Sequence, residues 1–293
     1  MFRTLVLVLW IALPAIGADT PYPKPTLLVE PAALTKPEAA GKLVLLDARD
    51  RKKYNAGHIP TARWVDHAEW AKSFGEGTDA EGWGKRIGAL GLNPDTSVVV
   101  YDDAMSKDAA RVWWILRYWG VKDVRLLNGG WVGWKAGKYM TVTDAPKFAT
   151  TTFKAIAAPD RLATKAEVLK SLDGFKWQIV DARTEKEFCG TEALKNKRAG
   201  AIPGAKHLEW IDLIDPDTHR FKPAGELKKV FAAAGVKLDR PTATHCQSGG
   251  RAAVMAYGME LMGATDVRNY YRSWGEWGNA TDTPVAIPKA EKK

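Results

Sequence analysis

A cysteine followed by a glycine pair and an arginine stands out in the sequence as Cys246-Gln247-Ser248-Gly249-Gly250-Arg251. Residues 241–245 before it resemble a short strand. Residues 252–262 after it have apolar side chains at helical spacing and predict an amphipathic helix. A strand, a tight turn and a helix direct successive N–H groups to one small volume, and the glycines permit the backbone this needs. We therefore expect Cys246 to have a lowered pKa and to act as a nucleophile toward an anionic substrate.

Two other roles for this cysteine have to be weighed. A lone cysteine more often packs as a small apolar side chain than reacts, although the glycine pair at a strand-to-helix junction favours the nucleophile. The chain has a second cysteine, Cys189, and a Cys189–Cys246 disulfide would block the nucleophile in an oxidising compartment.

The composition is that of a globular protein with an ample core. The chain has 293 residues, a formal net charge of +9 and 13 tryptophans, so one large or two moderate domains with aromatic-rich cores are expected. Basic residues are scattered among acidic ones, which argues against nucleic-acid binding, and the net positive charge favours small anionic ligands. The two cysteines and five histidines show no metal-ligand spacing, so no metal and no other cofactor is expected.

Residues 1–18 have the pattern of a secretory signal peptide. An apolar run from Leu5 to Ile16 is followed by small residues suited to cleavage after Gly17 or Ala18. The run is too short to span a bilayer, although an uncleaved N-terminal anchor is an alternative. We expect an exported protein, periplasmic or secreted, that has no membrane contact after signal cleavage.

The chain contains an internal duplication. Asp-Ala-Arg occurs at 47–49 and 181–183, Gly-x-Ile-Pro at 57–60 and 200–203, and Asp-Val-Arg at 123–125 and 266–268. A repeat of this length predicts two domains. They are an N-terminal domain at 19–145 and a C-terminal domain at 161–285, joined by a linker at 146–160 and followed by a tail at 286–293.

Strand-like and helical segments alternate within each copy. The predicted strands are 43–46, 97–101, 124–127, 178–180 and 241–245, and the predicted helices are 109–118, 226–234 and 252–262. The segment after residue 46 is expected to be irregular. This alternation predicts an α/β protein in which each domain is a parallel sheet with helices on both faces. Ligands of such sheets bind beyond the carboxyl ends of the strands, where Cys246 is placed.

The first copy serves as an internal comparison for the cysteine. A shift of 143 residues, which relates the later motifs of the two copies, places Asp103 opposite Cys246, and the first copy lacks the Gly-Gly-Arg ending. A packing residue would be expected to have a small apolar counterpart, whereas a carboxylate indicates a polar pocket. We therefore expect one active copy and one supporting copy.

These motifs make the chain resemble a tandem-domain rhodanese, that is, a thiosulfate or 3-mercaptopyruvate sulfurtransferase. The resemblance rests on the two Asp-Ala-Arg motifs, on Gly-His-Ile-Pro at 57–60, on Asn-Gly-Gly-Trp at 128–131 and on Cys246-x-x-Gly249-x-Arg251. It implies an inactive N-terminal domain, a catalytic C-terminal domain and a site near the cleft between them. It also implies that Cys246 is the sulfur carrier and that Arg183 matches a substrate-binding arginine.

The predicted site therefore has Cys246 as its catalytic residue and six substrate-binding residues: Arg183, Gln247, Ser248, Gly249, Gly250 and Arg251. Three of these have an alternative structural role. Ser248 could be a turn residue, Arg251 could brace the loop against an acidic partner, and Arg183 could pair with a carboxylate of its own domain. His245 lies next to the nucleophile on a strand, so its side chain is expected to point elsewhere and to be structural.

The predicted activity is that of a thiosulfate sulfurtransferase working by double displacement. The Cys246 thiolate takes sulfur from a small anionic donor, thiosulfate or 3-mercaptopyruvate, and the persulfide passes it to a thiol, cyanide or a protein cysteine. We expect a monomer. The alternatives are a non-enzymatic anion-binding or partner-docking module and a cysteine-dependent phosphatase or arsenate reductase. Those enzymes have one residue more between cysteine and arginine than the four found here.

Overall fold

The structure is a computed structural model that describes residues 21–36, 41, 43–174 and 177–289. The predicted signal peptide, residues 1–18, lies outside the described residues, as does the end of the predicted tail. Among the residues described, no helix has both the length and the apolar character needed to cross a membrane.

The first copy folds around a parallel sheet. Its strands are β1 (Leu28–Val29), β2 (Val44–Asp47), β3 (Arg63–Trp64), β4 (Ser97–Tyr101) and β5 (Asp123–Leu127). Its helices are α1 (Pro31–Leu34), α2 (Arg51–Ala56), α3 (His67–Ser73), α4 (Ala80–Ala89), α5 (Lys107–Tyr118) and α6 (Gly130–Ala136). The strand order across the sheet is β1-β5-β4-β2-β3, so β4 is an interior strand.

The second copy repeats this architecture around its own parallel sheet. Its strands are β6 (Gln178–Asp181), β7 (Lys206–His207), β8 (Thr242–His245) and β9 (Val267–Asn269). Its helices are α7 (Lys165–Gly174), α8 (Glu185–Phe188), α9 (Ala224–Ala233), α10 (Gly250–Leu261) and α11 (Ser273–Trp277). The strand order is β7-β6-β8-β9, and every strand pair in both sheets is parallel. The predicted α/β class with two parallel sheets is confirmed.

The predicted strands correspond to β2, β4, β5, β6 and β8, and the predicted helices to α5, α9 and α10. The prediction of an irregular segment after residue 46 was wrong, because α2, β3, α3 and α4 lie between β2 and β4. The helices α2 and α3 each bury a single side chain, Tyr54 and Trp70 respectively. One apolar residue per helix leaves no periodic pattern to detect.

The helix α10 is buried on all sides, so the prediction of an amphipathic helix was wrong. All ten residues from Ala252 to Leu261 are buried. The helix packs on its own sheet and also against α5 of the first copy, where the rings of Trp113 and Tyr257 meet edge to face at 4.9 Å. A helix enclosed in this way needs no polar face. The α5–α10 contact joins the two copies through one continuous apolar core.

The segment 144–158, within and just before the predicted linker, has no regular secondary structure and lies on the first copy. The Thr151 N–H donates to the Gly88 carbonyl at 2.9 Å, and Phe153 is buried in the core. A Cβ atom on Gly84 would lie 2.7 Å from the Phe153 carbonyl oxygen. The glycines of α4 therefore allow the connecting backbone to pack directly on the helix.

Candidate active site

Cys246 lies at the carboxyl end of an interior strand, as predicted. His245, the last residue of β8, pairs in register with Asp181 of β6, and Cys246 is the next residue. A loop of three residues follows, and α10 begins at Gly250. We call residues 246–251 the cysteine loop. The strand, tight turn and helix inferred from the sequence are confirmed.

The carbonyl groups of the cysteine loop are held by surrounding residues. The carbonyl of Cys246 accepts from the Trp274 N–H at 2.9 Å, and that of Gln247 accepts from the Gly275 N–H at 3.0 Å. The carbonyl of Ser248 accepts from the Arg111 guanidinium at 2.7 Å, and that of Gly249 accepts from the Asn269 side-chain amide at 2.9 Å. In a planar trans peptide the C=O and the following N–H point in opposite directions. Each held carbonyl therefore turns the next N–H toward the opposite side.

The N–H groups of the loop are available for a ligand. Within the described part of the chain, none of the N–H groups of residues 247–252 donates to a protein acceptor. The first N–H groups of a helix have no partner inside the helix, and the α10 dipole adds a partial positive charge at the same end. The loop can therefore stabilise negative charge close to Cys246.

Both glycines of the loop are required by their surroundings. Gly249 has a φ of +82°, in the left-handed region, and a Cβ there would lie 2.6 Å from the Tyr271 ring. Gly250 has no unusual φ, but a Cβ on it would run into the guanidinium of Arg111, 2.9 Å from Cζ. One glycine thus serves backbone conformation and the other serves the close approach of a side chain.

Both cysteines are free thiols in the structure, so it does not contain the Cys189–Cys246 disulfide. Cys246 is buried, with 1% of its surface exposed, and its N–H donates to the Ser273 hydroxyl at 3.0 Å. A sulfur donor must therefore be small enough to reach a thiol beneath the loop. Burial, together with the Glu185 carboxylate, raises the pKa of Cys189. Cys189 is therefore less readily ionised than an ordinary thiol.

Arg251 braces the loop, which was one of its two predicted roles. Its guanidinium donates to both carboxylate oxygens of Glu187, at 2.6 and 2.8 Å, and Glu187 also completes a capping box with Thr184 at the start of α8. Burial opposes the charge on Arg251, but the bonds to Glu187 and the nearby Cys246 raise its pKa above the ordinary value. Burial likewise opposes the charge on Glu187, while Arg251 lowers the pKa of that carboxyl.

Arg183 forms an ion pair inside its own domain, which was the alternative to substrate contact. Its guanidinium is 1% exposed and donates to both Asp181 oxygens and to the Gly200 carbonyl. It also lies over the Trp274 ring, 4.4 Å from the centroid. The first copy has the same arrangement, with Arg49 bonded to Asp47 and Gly57 and lying over Trp131. The structure therefore places Arg183 beneath the site as a support for the strand ends.

His245 is fully buried, and its Nε2 lies 3.4 Å from an Asp181 carboxylate oxygen. Burial lowers the pKa of His245 to about 4, so the ring is neutral at physiological pH. In the first copy the matching residue is Tyr101, whose hydroxyl donates to Asp47 at 2.6 Å. Both residues stand behind the loop as internal supports, which agrees with the structural role expected for His245.

The two residues after the cysteine differ in their freedom. Gln247 exchanges two hydrogen bonds with Asn196, at 3.0 and 3.1 Å. Its side chain is therefore engaged by the segment between Arg183 and Gly200, which is longer than its counterpart between Arg49 and Gly57. Ser248 is exposed, and its hydroxyl has no hydrogen-bond partner within the described residues. Ser248 is therefore the loop side chain that is free to meet a ligand.

The first copy contains the same kind of loop, filled by its own side chain. The strand register aligns Tyr101 with His245, so the counterpart of Cys246 is Asp102, and the sequence alignment that gave Asp103 was wrong by one residue. The Asp102 carboxylate accepts four backbone N–H bonds of 2.8 to 3.0 Å from residues 104, 106, 108 and 109. Burial and the Asp108 carboxylate raise the pKa of Asp102 to about 6 despite these bonds. The loop shape is thus one that holds an anion.

A cavity of about 430 Å³ lies between the two copies, beside the cysteine loop. Its charged side chains are Lys72 and Arg111 of the first copy and Arg272 and Glu276 of the second. Three cations against one carboxylate make the walls net positive, which favours anionic ligands. The ring of Tyr271 forms an aromatic wall and stacks on Trp114 of the first copy at 5.2 Å. This arrangement fits the expected site at a cleft between the domains.

Sequence reasoning missed Arg111, Glu187 and Asn269. Arg111 lies 137 residues before the carbonyl that it binds, and Glu187 lies 64 residues before Arg251. No motif marks them, and no local spacing brings them to the loop. The sequence offered one indirect signal for Arg111. This residue lies on α5, a predicted helix, and α5 follows β4, the strand of the first copy that matches β8.

Comparison with known proteins gives the same picture over most of the chain. A family model described as a rhodanese-like domain matches residues 30–137 and again 164–280. A thiosulfate sulfurtransferase of Pseudomonas aeruginosa is 31% identical over 268 residues, which cover 89% of this chain and 97% of that protein. A 3-mercaptopyruvate sulfurtransferase of Escherichia coli is 30% identical over 249 residues, covering 82% of this chain and 86% of that protein.

A solved structure agrees with these alignments. The crystal structure of a 3-mercaptopyruvate sulfotransferase from Escherichia coli superposes with a TM-score of 0.74 at 27% sequence identity. The superposition covers 85% of this chain and 99% of that one. The superposition therefore extends over both copies.

Proposed function

We propose that this chain, which belongs to the rhodanese family, is a sulfurtransferase in which Cys246 carries the sulfur. The donor is a small anion, thiosulfate or 3-mercaptopyruvate, and the acceptor is a thiol, cyanide or a protein cysteine. Relatives named for each donor align over most of the chain, which supports the reaction class and makes both donors part of the test.

The observation that carries the proposal is the backbone of the cysteine loop. Four consecutive carbonyls are held by other residues, and the N–H groups that follow them have no protein acceptor within the described residues. A persulfide on Cys246 would place its negative charge among these N–H groups. Fixed donors of this kind stabilise developing charge without reorganising, and the loss of one donor costs about 3–4 kcal/mol of transition-state stabilisation.

The reaction balances without a cofactor. In the first step the Cys246 thiolate forms a bond to the outer sulfur of thiosulfate, the S–S bond of thiosulfate breaks, and sulfite leaves with the bonding electrons. With 3-mercaptopyruvate the C–S bond breaks instead, and the enolate takes up the thiol proton to give pyruvate. In the second step the acceptor bonds to the outer sulfur of the persulfide, and the Cys246 thiolate is restored.

The remaining residues have supporting roles in this proposal. Ser248 is placed to donate a hydrogen bond to the donor or to the persulfide, since its hydroxyl is exposed and free of protein partners in the part of the chain described. Gly249 and Gly250 contribute N–H groups, and Gln247 contributes its N–H while its side chain is held by Asn196. Arg251 and Arg183 act through their ion pairs and keep the loop and the strand end in place.

The intact mass of the protein after incubation with thiosulfate tests the proposal. Wild type is expected to gain one sulfur atom, about 32 Da, and to lose it when cyanide or a thiol is added. Cys246→Ser should show no gain, whereas the matched variant Cys189→Ser should behave as wild type because Cys189 is a separate free thiol. A gain that persists in Cys246→Ser, or no gain in wild type with either donor, would contradict the proposal.

The same preparations separate the rival functions. A docking module predicts no persulfide and full partner binding by Cys246→Ser. A phosphatase or arsenate reductase predicts turnover of a phosphate ester or of arsenate. Against this class, Arg251 is already paired with Glu187 and the loop is one residue shorter than such enzymes need.

We further propose that the protein is exported as a monomer and works in the periplasm or outside the cell. The support is the N-terminal pattern of residues 1–18, with its apolar run and small residues at 17 and 18. The mass of the N-terminal peptide from protein purified out of the periplasm checks this, with cleavage expected after Gly17 or Ala18. Light scattering of the same sample checks the monomer.

A further inference from the structure

We propose that Arg111, a residue of the first copy, is a positioning residue for sulfur transfer on the second copy. It fixes one peptide of the cysteine loop and thereby the direction of one N–H group that faces the persulfide. The inference rests on the proposed function, since the loop matters for catalysis only if Cys246 carries the sulfur.

The peptide between Ser248 and Gly249 depends on Arg111. The Arg111 Nη1 donates to the Ser248 carbonyl at 2.7 Å, and this is the only one of the four held loop carbonyls whose donor comes from the first copy. A held Ser248 carbonyl directs the Gly249 N–H to the opposite side, toward the ligand. Because glycine accepts many backbone conformations, this peptide would be free to rotate without the guanidinium.

A second contact places the guanidinium close against the start of α10. A Cβ on Gly250 would lie 2.9 Å from the Arg111 Cζ and 3.1 Å from its Nε, and closer still to Nη2. Gly250 has no unusual φ, so nothing in its own backbone requires a glycine. The close approach of Arg111 explains why the second glycine of the loop is there.

Arg111 is itself held by the aromatic contact between the copies. Its Nη1 also donates to the Tyr271 hydroxyl at 2.9 Å, and its Cζ lies 5.5 Å from the centre of that ring. Tyr271 is 4% exposed and packs against Phe74 and Trp114 of the first copy, with ring centroids 4.4 and 5.2 Å apart. The guanidinium is therefore held by two acceptors beside a packed aromatic cluster, as a positioning role requires.

This geometry gives the first copy, which has an aspartate in place of the cysteine, a part in the reaction. It supplies the donor that completes the row of held carbonyls. Removing a hydrogen-bond donor to a developing charge lowers kcat by about a hundredfold to a thousandfold. Releasing a peptide that carries such a donor should have a smaller effect, and we expect a fall of about tenfold to a hundredfold in the rate of persulfide formation.

The test uses the full chain and single-turnover persulfide formation from thiosulfate, followed by mass. Arg111→Met keeps most of the aliphatic part of the side chain and removes its donors. Arg111→Lys keeps a single charged donor group but lacks the guanidinium that packs against Gly250. Lys107→Gln is the matched control, because it removes one positive charge from the same helix one turn away, where the Lys107 ammonium lies 3.8 Å from the Asp108 carboxylate. We expect Arg111→Met to be slowed by at least tenfold, Arg111→Lys by less, and Lys107→Gln by less than twofold.

A double-variant comparison separates positioning from general destabilisation. Alanine at a first helical position is normally harmless, yet Gly250→Ala should slow wild type by about tenfold because it displaces the guanidinium. In the Arg111→Met background the same substitution should have little further effect. Wild-type rates in Arg111→Met and Arg111→Lys, or independent effects in the double variant, would overturn the inference. Absence of the persulfide in wild type would instead overturn the proposed function.

Discussion

Substitution of His245 by tyrosine should remove a specific acid sensitivity from the protein. His245 is fully buried behind the cysteine loop, and burial lowers its pKa to about 4 from an ordinary value of 6.5. The first copy has Tyr101 at the matching place, with its hydroxyl bonded to the Asp47 carboxylate. The variant therefore copies an arrangement that the same fold already contains.

The sign and size of the effect follow from the two pKa values. The folded-state pKa lies below the unfolded one, so the unfolded chain binds more protons between about pH 4 and pH 6.5. The stabilising contribution of neutral His245 is therefore complete above about pH 6.5 and is lost as the pH falls toward 4. A shift of this size corresponds to about 3 kcal/mol of unfolding free energy.

Urea unfolding followed by tryptophan fluorescence, repeated from about pH 7.5 to about pH 4, measures this contribution. The difference in unfolding free energy between wild type and His245→Tyr should change by about 3 kcal/mol across the range, with wild type losing more. His245→Gln, which is closer in size, should give the same trend. The reciprocal variant Tyr101→His should acquire the sensitivity. A difference that does not vary with pH would refute the reasoning.

Three further substitutions test contacts around the two loops. Gly249→Ala should lower the unfolding free energy by about 2 kcal/mol and slow sulfur transfer, because a Cβ at a φ of +82° would meet the Tyr271 ring; urea unfolding and the rate assay check both. Glu187→Ala should lower the unfolding free energy by about 3 kcal/mol, because Arg251 loses its carboxylate partner in a partly buried site. An unchanged urea midpoint would contradict this. Asp102→Ala should lower the unfolding free energy by about 3 kcal/mol, because four N–H groups lose their acceptor. Added sulfate can bind these N–H groups, so it should raise the melting temperature of the variant more than that of wild type.

The sequence predicted the parts of the fold that depend on local patterns. The strands that carry the Asp-Ala-Arg motifs, the strand before Cys246 and the helix after it all formed close to the predicted residues. The prediction that α10 is amphipathic was wrong because α5 of the first copy covers its outer side. Only the tertiary structure reveals this contact. The residue opposite Cys246 was misplaced by one because the first copy has one more residue between strand and helix, from Asp102 to Lys107, than the second has from Cys246 to Gly250.

The roles of the arginines could not be settled from the sequence for a related reason. A guanidinium near a catalytic cysteine can bind substrate or neutralise a buried carboxylate, and residue type does not distinguish these. In the structure Arg251 pairs with Glu187 and Arg183 pairs with Asp181, each with a nitrogen–oxygen distance of 2.6 Å. Arg111 received no role at all because its target lies on the other copy.

The carboxylate of Asp102 has a consequence for stoichiometry. The first copy keeps a loop that binds anions, but four of its N–H groups already hold a negative charge that is covalently part of the chain. Free thiosulfate cannot displace the Asp102 carboxylate, because the carboxylate is tethered to the loop and its local concentration stays high. A chain with two such loops should therefore saturate at a single equivalent of bound sulfur, however much thiosulfate is supplied.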